Sequence, residues 1–181
     1  MTKLCCRQLF KAHAAPLVIA MVFALMPSHA RAASFDCNLA STETEIEICD
    51  SAQLSAYDEL LSAVYSLVTE DQNLRSTVIT EQRLWIAQRD KVLDEFMPEN
   101  GFYSGHDQLL SFMSARVYEL LEYLNGASYE AINTLFSDVN GLSIQNDSHR
   151  RIILFSPSNE TFQTYSNILF FDTSNQLVKA I

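Results

Sequence analysis

The amino terminus of this 181-residue chain has the layout of a cleaved secretory signal. It begins with three basic residues, Lys3, Arg7 and Lys11. An apolar run over residues 17–26 follows, and the small residues Ala30 and Ala32 predict a signal-peptidase cut after Ala32. A run of about 10 apolar residues falls short of the ~20 that span a bilayer, which argues against an uncleaved anchor. We therefore expect residues 1–32 to be removed and the rest to be periplasmic or secreted, with no membrane span.

Export would leave two cysteines, Cys37 and Cys49, because Cys5 and Cys6 lie in the leader. Two cysteines in an oxidising compartment usually pair. We predict a disulfide between Cys37 and Cys49, which would contribute about 2–4 kcal/mol by closing a short loop. Two thiols alone do not supply the four ligands of a zinc site, so we expect no bound metal.

The chain is acidic, with 22 Asp and Glu against 12 Lys and Arg and a formal net charge of −10. Removal of the leader would take away four basic residues and no acidic one. A surface of this sign repels nucleic acid and favours fast association with a cationic partner. The alternative is an acidic surface that only keeps the protein soluble.

Apolar residues at helical spacing predict four helices before Gly126. Thr42 and Glu45 form a capping box at the start of the first, which should end near Cys49. The others are expected at about 51–70, at about 73–96, and from about 109 to 124, before the Asn125–Gly126 turn. Short connections between helices of this length favour an antiparallel bundle.

Beyond Gly126 the apolar spacing changes from helical to strand-like. We predict a helix at 128–139 and strands at 151–155, 161–171 and 177–181, with a hairpin turn over 172–175. The predicted fold class is therefore mainly α: a helical bundle stapled by one disulfide, followed by a small α+β tail with an antiparallel β-meander. We expect a helical domain at 33–126 and a tail at 127–181 that packs against it, because a unit as short as the tail rarely folds alone.

A polar cluster is predicted between the second and third helices. Gln82, Trp85 and Arg89 stand at i, i+3 and i+7 and share one helix face, while Asp58 falls inside the apolar stripe of the second helix. An unpaired carboxylate there would be costly to bury. We expect Asp58 and Arg89 to pair and fix the helix register, with contact to a ligand as the alternative.

The residues predict no catalytic site. After the leader, the chain contains two histidines, His106 and His149, and neither lies in a nucleophile elbow or a zinc-binding helix motif. His106 beside Asp107 is typical of a solvated helix start. With four glycines and no phosphate-binding loop, we expect no cofactor and no enzymatic activity.

Short motifs distributed from Phe35 to Asp90 carry a family resemblance. They are Phe35-Asp36-Cys37, Ala40-Ser41-Thr42, Glu45, Ile48-Cys49, Leu54, Asp58, Leu61, Tyr65 and Gln82-Arg83-x-Trp85-x-x-x-Arg89-Asp90. The ordered set resembles the LprI-type lysozyme-inhibitor N-terminal domain family over about 35–124. Its motif residues in this chain are Asp58, Tyr65, Gln82, Arg83, Trp85, Arg89 and Asp90. The second cysteine pair that members of the family often carry is missing here.

The resemblance implies an exported, non-enzymatic binding protein. Its partner would be a cationic lysozyme, inhibited by blocking of the sugar cleft. The alternative is an envelope assembly or stress factor that binds another periplasmic or outer-membrane protein.

Overall fold

The computed structural model describes residues 33–95, 104–147, 149, 152–157 and 167–180. The leader and its predicted cut after Ala32 lie outside these ranges. Within them, no helix has both the length and the apolar character needed to cross a bilayer.

The first structured unit is a stapled corner. A 3₁₀-helix, Cys37–Leu39, leads into α1, Glu43–Asp50. The predicted capping box is present, because Thr42 accepts from the Glu45 amide and the Glu45 carboxylate accepts from the Thr42 amide. The predicted disulfide is also confirmed: Cys37 and Cys49 are bonded, with 5.8 Å between their Cα atoms.

Two helices form the centre of the bundle. α2 spans Ala52–Val68 and is capped by Ser51, whose hydroxyl accepts from the Leu54 amide. α5 spans Gly105–Glu122 and begins with a second capping box, between Ser104 and Asp107. The two helices pack on each other more extensively than any other pair of helices in the described ranges. Their buried apolar residues make the helical half of the core.

The prediction of one helix over 73–96 was wrong. The structure has α3, Arg75–Arg89, and a separate short α4, Val92–Glu95; Phe96 is outside the described residues. The helix stops because the Lys91 amide donates to the Gln88 carbonyl, a tighter turn than the α-helical one. The turn redirects the chain so that α4 packs against α5 and α1.

The C-terminal part contains one helix and four strands. α6 spans Tyr129–Ser137 and is capped by Ser128. The strands form an antiparallel sheet in the order β1-β2-β3-β4: Leu142–Asp147, Ile152–Pro157, Asn167–Phe171 and Leu177–Ala180. This confirms the predicted meander and fold class.

The sequence missed β1 because four of its six residues are polar, so it lacks a continuous apolar run. The predicted residues 161–166 of the next-to-last strand lie outside the described part of the chain. The predicted turn over 172–175 is present, with Asn175 in the left-handed region at φ 58°.

The sheet and the helices share one core. The rings of Phe136 on α6 and Phe155 on β2 meet edge to face at 4.8 Å between centroids. Gly126, at φ 90°, turns the chain after α5 and donates its amide to the Leu177 carbonyl, which ties the connection to β4. The buried side chains before and after Gly126 form a single cluster, and the domain boundary at Gly126 stays a prediction.

A buried polar network also joins the sheet to the bundle. The Asn167 side chain on β3 donates to the Tyr57 hydroxyl at 2.8 Å and accepts from the Tyr118 hydroxyl. Burial, and then the neighbouring Tyr57, raise the pKa of Tyr118 above its ordinary value of 10.0. The network holds α2, α5 and β3 together through neutral hydroxyls.

Loss of the disulfide should destabilise the fold. We expect Cys37→Ser/Cys49→Ser to lower the free energy of unfolding by about 2–4 kcal/mol, because the unfolded chain regains the entropy of an open loop. Urea unfolding of the oxidised wild type and of the variant measures the difference. Wild type in reductant is the matched control and should show the same loss; equal midpoints for all three samples would contradict the prediction.

Alkaline pH should weaken the Tyr118 network. Because the pKa of Tyr118 is raised in the folded chain, its stabilisation is complete below the unfolded value near 10 and is lost as the pH rises above it. We expect Tyr118→Phe to lose stability less steeply than wild type above about pH 10.

Part of that alkaline loss should remain in the Tyr118→Phe variant. The pKa values of Tyr123 and Tyr129 are also raised, the first by its hydrogen bond to Glu81 and the second by burial. Thermal melts across the alkaline range measure the slopes, and identical slopes for the two proteins would count against the assignment.

Candidate functional site

The candidate site is an open groove of about 560 Å³ between α2 and α3. Ser34 and Phe35 from the entry segment and Glu45 from α1 also line it. Six motif residues predicted from the sequence meet here: Asp58, Tyr65, Gln82, Arg83, Trp85 and Arg89. The seventh, Asp90, does not line the groove but contacts Arg89 from beside it.

Asp58 is the buried anion of the groove, with 5% of its surface exposed. One carboxylate oxygen accepts from the Ser34 amide at 2.8 Å and from the Ser34 hydroxyl at 2.6 Å. The other lies 3.9 Å from Nη1 of Arg89. The predicted pairing of Asp58 with Arg89 is therefore confirmed as an ion pair, while the hydrogen bonds to the carboxylate come from Ser34.

Arg89 is the matching buried cation, 8% exposed. Its Nε and Nη2 donate to one oxygen of Asp90 at 2.9 and 2.7 Å. The guanidinium also lies 5.7 Å from the centre of the Trp85 ring, within range of a cation–π contact. Trp85 in turn stacks on Phe112 of α5 at 5.5 Å. Arg89 thus links the end of α3 to α2 and to the bundle.

A second polar contact, which sequence reasoning missed, holds the middle of α3 to α5. The buried Arg116 donates to the Gln82 side chain at 3.0 Å and to Glu119 at 2.8 Å, and lies 3.8 Å from Glu81. The Tyr123 hydroxyl donates to the same Glu81 at 3.0 Å. The signal was available, because Arg116 interrupts the apolar stripe of α5 as Asp58 interrupts that of α2.

Glu45 adds a carboxylate at the end of the groove. Its pKa is lowered by hydrogen bonds that it accepts from the backbone amides of Ser41 and Thr42. These bonds favour the ionised form, so Glu45 is negative at neutral pH. The groove therefore combines a fixed negative end with the Asp58–Arg89 pair in its wall.

His106 lies outside the groove. It was predicted to be a solvated part of a helix start, but Nδ1 lies 2.8 Å from a Glu47 oxygen, which joins α5 to α1. Within the described ranges, no group of three His, Cys, Asp or Glu side chains is placed to hold a metal ion.

The charged groups of the groove differ in whether they are already paired inside the chain. Asp58, Arg89 and Glu45 are engaged by partners inside the chain, so their first effect is to hold the groove in shape. The Arg83 side chain is exposed and makes no ion pair or hydrogen bond within the part of the chain that the structure describes. It is free to contact another molecule. A groove held in shape by internal contacts, with an exposed cation beside it, is suited to binding another molecule.

A comparison with protein families matches residues 37–120 to the family described as lysozyme inhibitor LprI. This segment, 84 of the chain's 181 residues, is similar to the LprI family and is called the LprI segment below. It includes the disulfide, the helices that form the groove and all seven motif residues, so the resemblance drawn from the motifs is confirmed. The β-sheet lies outside the LprI match. Comparison with curated proteins and with solved structures gave no match.

Removal of one partner of the Asp58–Arg89 pair should cost more than removal of an exposed charge. We expect Arg89→Gln to reduce the free energy of unfolding by about 3–5 kcal/mol, because Asp58 would keep a buried charge without its cation. Asp58→Asn should also destabilise, and the double variant should lose less than the sum of the two single variants.

Chemical unfolding of the three variants measures this coupling. Arg83→Gln, on the same helix but exposed and unpaired, is the control and should stay within about 0.5 kcal/mol of wild type. Strictly additive losses would show that Asp58 and Arg89 do not stabilise each other.

Proposed function

We propose that this protein is an exported, non-catalytic binding protein that inhibits a lysozyme by covering its sugar-binding cleft. The observation that carries the proposal is the LprI match over residues 37–120, the segment that contains the disulfide and the two helices that form the groove. Inhibition by occlusion needs no nucleophile or cofactor in the inhibitor. It needs a rigid surface that fits the enzyme.

Charge supports a lysozyme as the partner. The chain has a formal net charge of −10, and its predicted leader contains only basic charges. Lysozymes of the common animal type present a cationic surface. Opposite net charges accelerate the encounter and orient the two proteins before short-range contacts form.

Rigidity supports occlusion as the mechanism. The disulfide closes the loop that carries α1, and buried polar contacts hold α3 at two points, through Arg89 and Arg116. A surface that is already ordered loses less conformational entropy when it binds. The LprI segment can therefore present its exposed side chains without first having to fold around the enzyme.

A second function is favoured by the C-terminal sheet, which lies outside the LprI match. An envelope assembly or stress factor would use this added unit to bind another periplasmic or outer-membrane protein. The exposed Val178 on the edge strand β4 is a feature that such a partner would contact.

A lysozyme turbidity assay with the purified, oxidised protein tests the main proposal. We expect inhibition, and we expect the inhibition constant to rise roughly tenfold or more as ionic strength increases from about 0.01 M to about 1 M, where the Debye length falls from about 30 Å to about 3 Å. Short chito-oligosaccharides should compete, because they occupy the same cleft.

The outcomes separate the two functions. An inhibition constant that does not change with salt would remove charge from the mechanism, and binding unaffected by chito-oligosaccharide would exclude the cleft. Absence of inhibition at every ionic strength would contradict the lysozyme proposal. Specific retention of an envelope protein by the same sample would then support the assembly factor.

A further inference from the structure

The cations of the LprI segment are not distributed evenly. In its described residues there are five basic side chains: Arg75, Arg83, Arg89, Lys91 and Arg116. Arg89 and Arg116 are buried and paired with carboxylates. The other three, Arg75, Arg83 and Lys91, are exposed, form no ion pair with any residue that the structure describes, and lie on α3 or directly after it in an otherwise acidic protein.

Arg83 differs from the other two in its apolar surroundings. Leu84 beside it is 63% exposed and Ile86 is 39% exposed, although both are large aliphatic residues. Arg75 is followed by the exposed Ser76 and Thr77 instead. An arginine flanked by exposed apolar side chains has the composition of the energetic centre of a protein interface.

The position of Arg83 is also held. Arg116 donates to Gln82, the residue immediately before it, and Trp85 two residues later is buried against Phe112. The helical turn that carries Arg83 is thus fixed on both sides while its own side chain remains exposed. The helix backbone at Arg83 is therefore already ordered before binding, and only the side chain loses rotamer freedom in the complex.

The chemistry of a glycoside-hydrolase cleft defines what could fill it. Such enzymes usually act with two carboxyl groups that flank the scissile bond, about 5–5.5 Å apart in retaining enzymes. A protein that covers them removes water from an ionised carboxylate, which is costly unless a cation or hydrogen-bond donor replaces the water. A guanidinium supplies five N–H donors in one plane and can contact both carboxyl groups.

We infer that Arg83 enters the cleft of the inhibited enzyme and contacts its two catalytic carboxyl groups, while Leu84 and Ile86 cover the apolar rim. The inference rests on the proposed function and specifies its contact surface: the outer face of α3 around Arg83. The acidic remainder of the protein guides the approach to a cationic enzyme. The local positive charge of α3 matches the negative centre of the cleft.

Arg83→Gln and Arg75→Gln form a matched pair for the test. Each removes one exposed positive charge from α3, so both change the long-range attraction to the enzyme equally. We expect Arg83→Gln to raise the inhibition constant at least about tenfold, as for an interface hot spot, and Arg75→Gln to change it by less than about threefold. Arg83→Lys, which keeps the charge but not the planar donors, should fall between wild type and Arg83→Gln.

A double-mutant cycle tests the contact itself. Dissociation constants are measured with wild-type lysozyme and with a lysozyme whose ionised catalytic carboxylate, the partner of the general acid, is replaced by its amide. The loss caused by Arg83→Gln should be several-fold smaller against the amide variant, while the effect of Arg75→Gln should be the same against both enzymes. Circular dichroism and thermal melts confirm that both inhibitor variants are folded.

The results distinguish this inference from the proposed function. If the wild-type protein inhibits lysozyme but Arg83→Gln and Arg75→Gln behave alike, the function stands and the assignment of Arg83 is overturned. An Arg83→Gln effect that is equal against both enzymes would also overturn the contact with the catalytic carboxyl group. If the wild-type protein neither binds nor inhibits lysozyme, both proposals fail.

Discussion

The carboxylate of Asp58 connects three separate parts of the chain. It belongs to α2, accepts two hydrogen bonds from Ser34 in the entry segment and lies within ion-pair distance of Arg89 at the end of α3. A carboxylate that is 5% exposed is costly to bury without such partners. The entry segment and α3 therefore have to be in place together, and the groove exists because both are held by one buried group.

α3 depends on these polar contacts because it buries little apolar surface. Its buried residues are Val78, Trp85 and Arg89. Arg89 contacts α2 at one end and Arg116 of α5 contacts the middle, so the helix is positioned without covering its outer face. That division leaves Arg83 and Leu84 exposed on a firmly held helix, which is the property a rigid binding surface requires. The missing second cysteine pair is compatible with this arrangement, since polar side chains and the packing of α4 hold the same region.

The C-terminal sheet extends the same core. Tyr57 is on α2, one residue before Asp58, and its hydroxyl accepts from Asn167 of β3. Groove and sheet are thus attached to neighbouring positions of one helix. Substitutions in the sheet can for this reason affect the stability of the LprI segment even though the sheet lies outside the family match.

Local features were predictable from the sequence alone because they depend on neighbours in the chain. The capping box at Thr42 binds an amide three residues away, the disulfide follows from two remaining cysteines, and the face shared by Gln82, Trp85 and Arg89 follows from helical spacing. The end of α3 was not predictable, since apolar spacing continues through Val92 and only the turn after Arg89 and the packing of α4 stop the helix. β1 was not predictable either, because its polar residues become a strand by pairing with β2.

Tertiary structure alone decided that Ser34 would bind Asp58, 24 residues away, and that Arg116 would reach Gln82 from another helix. Such contacts depend on how whole helices pack, and that is set by the sum of many weak apolar contacts that no local motif encodes.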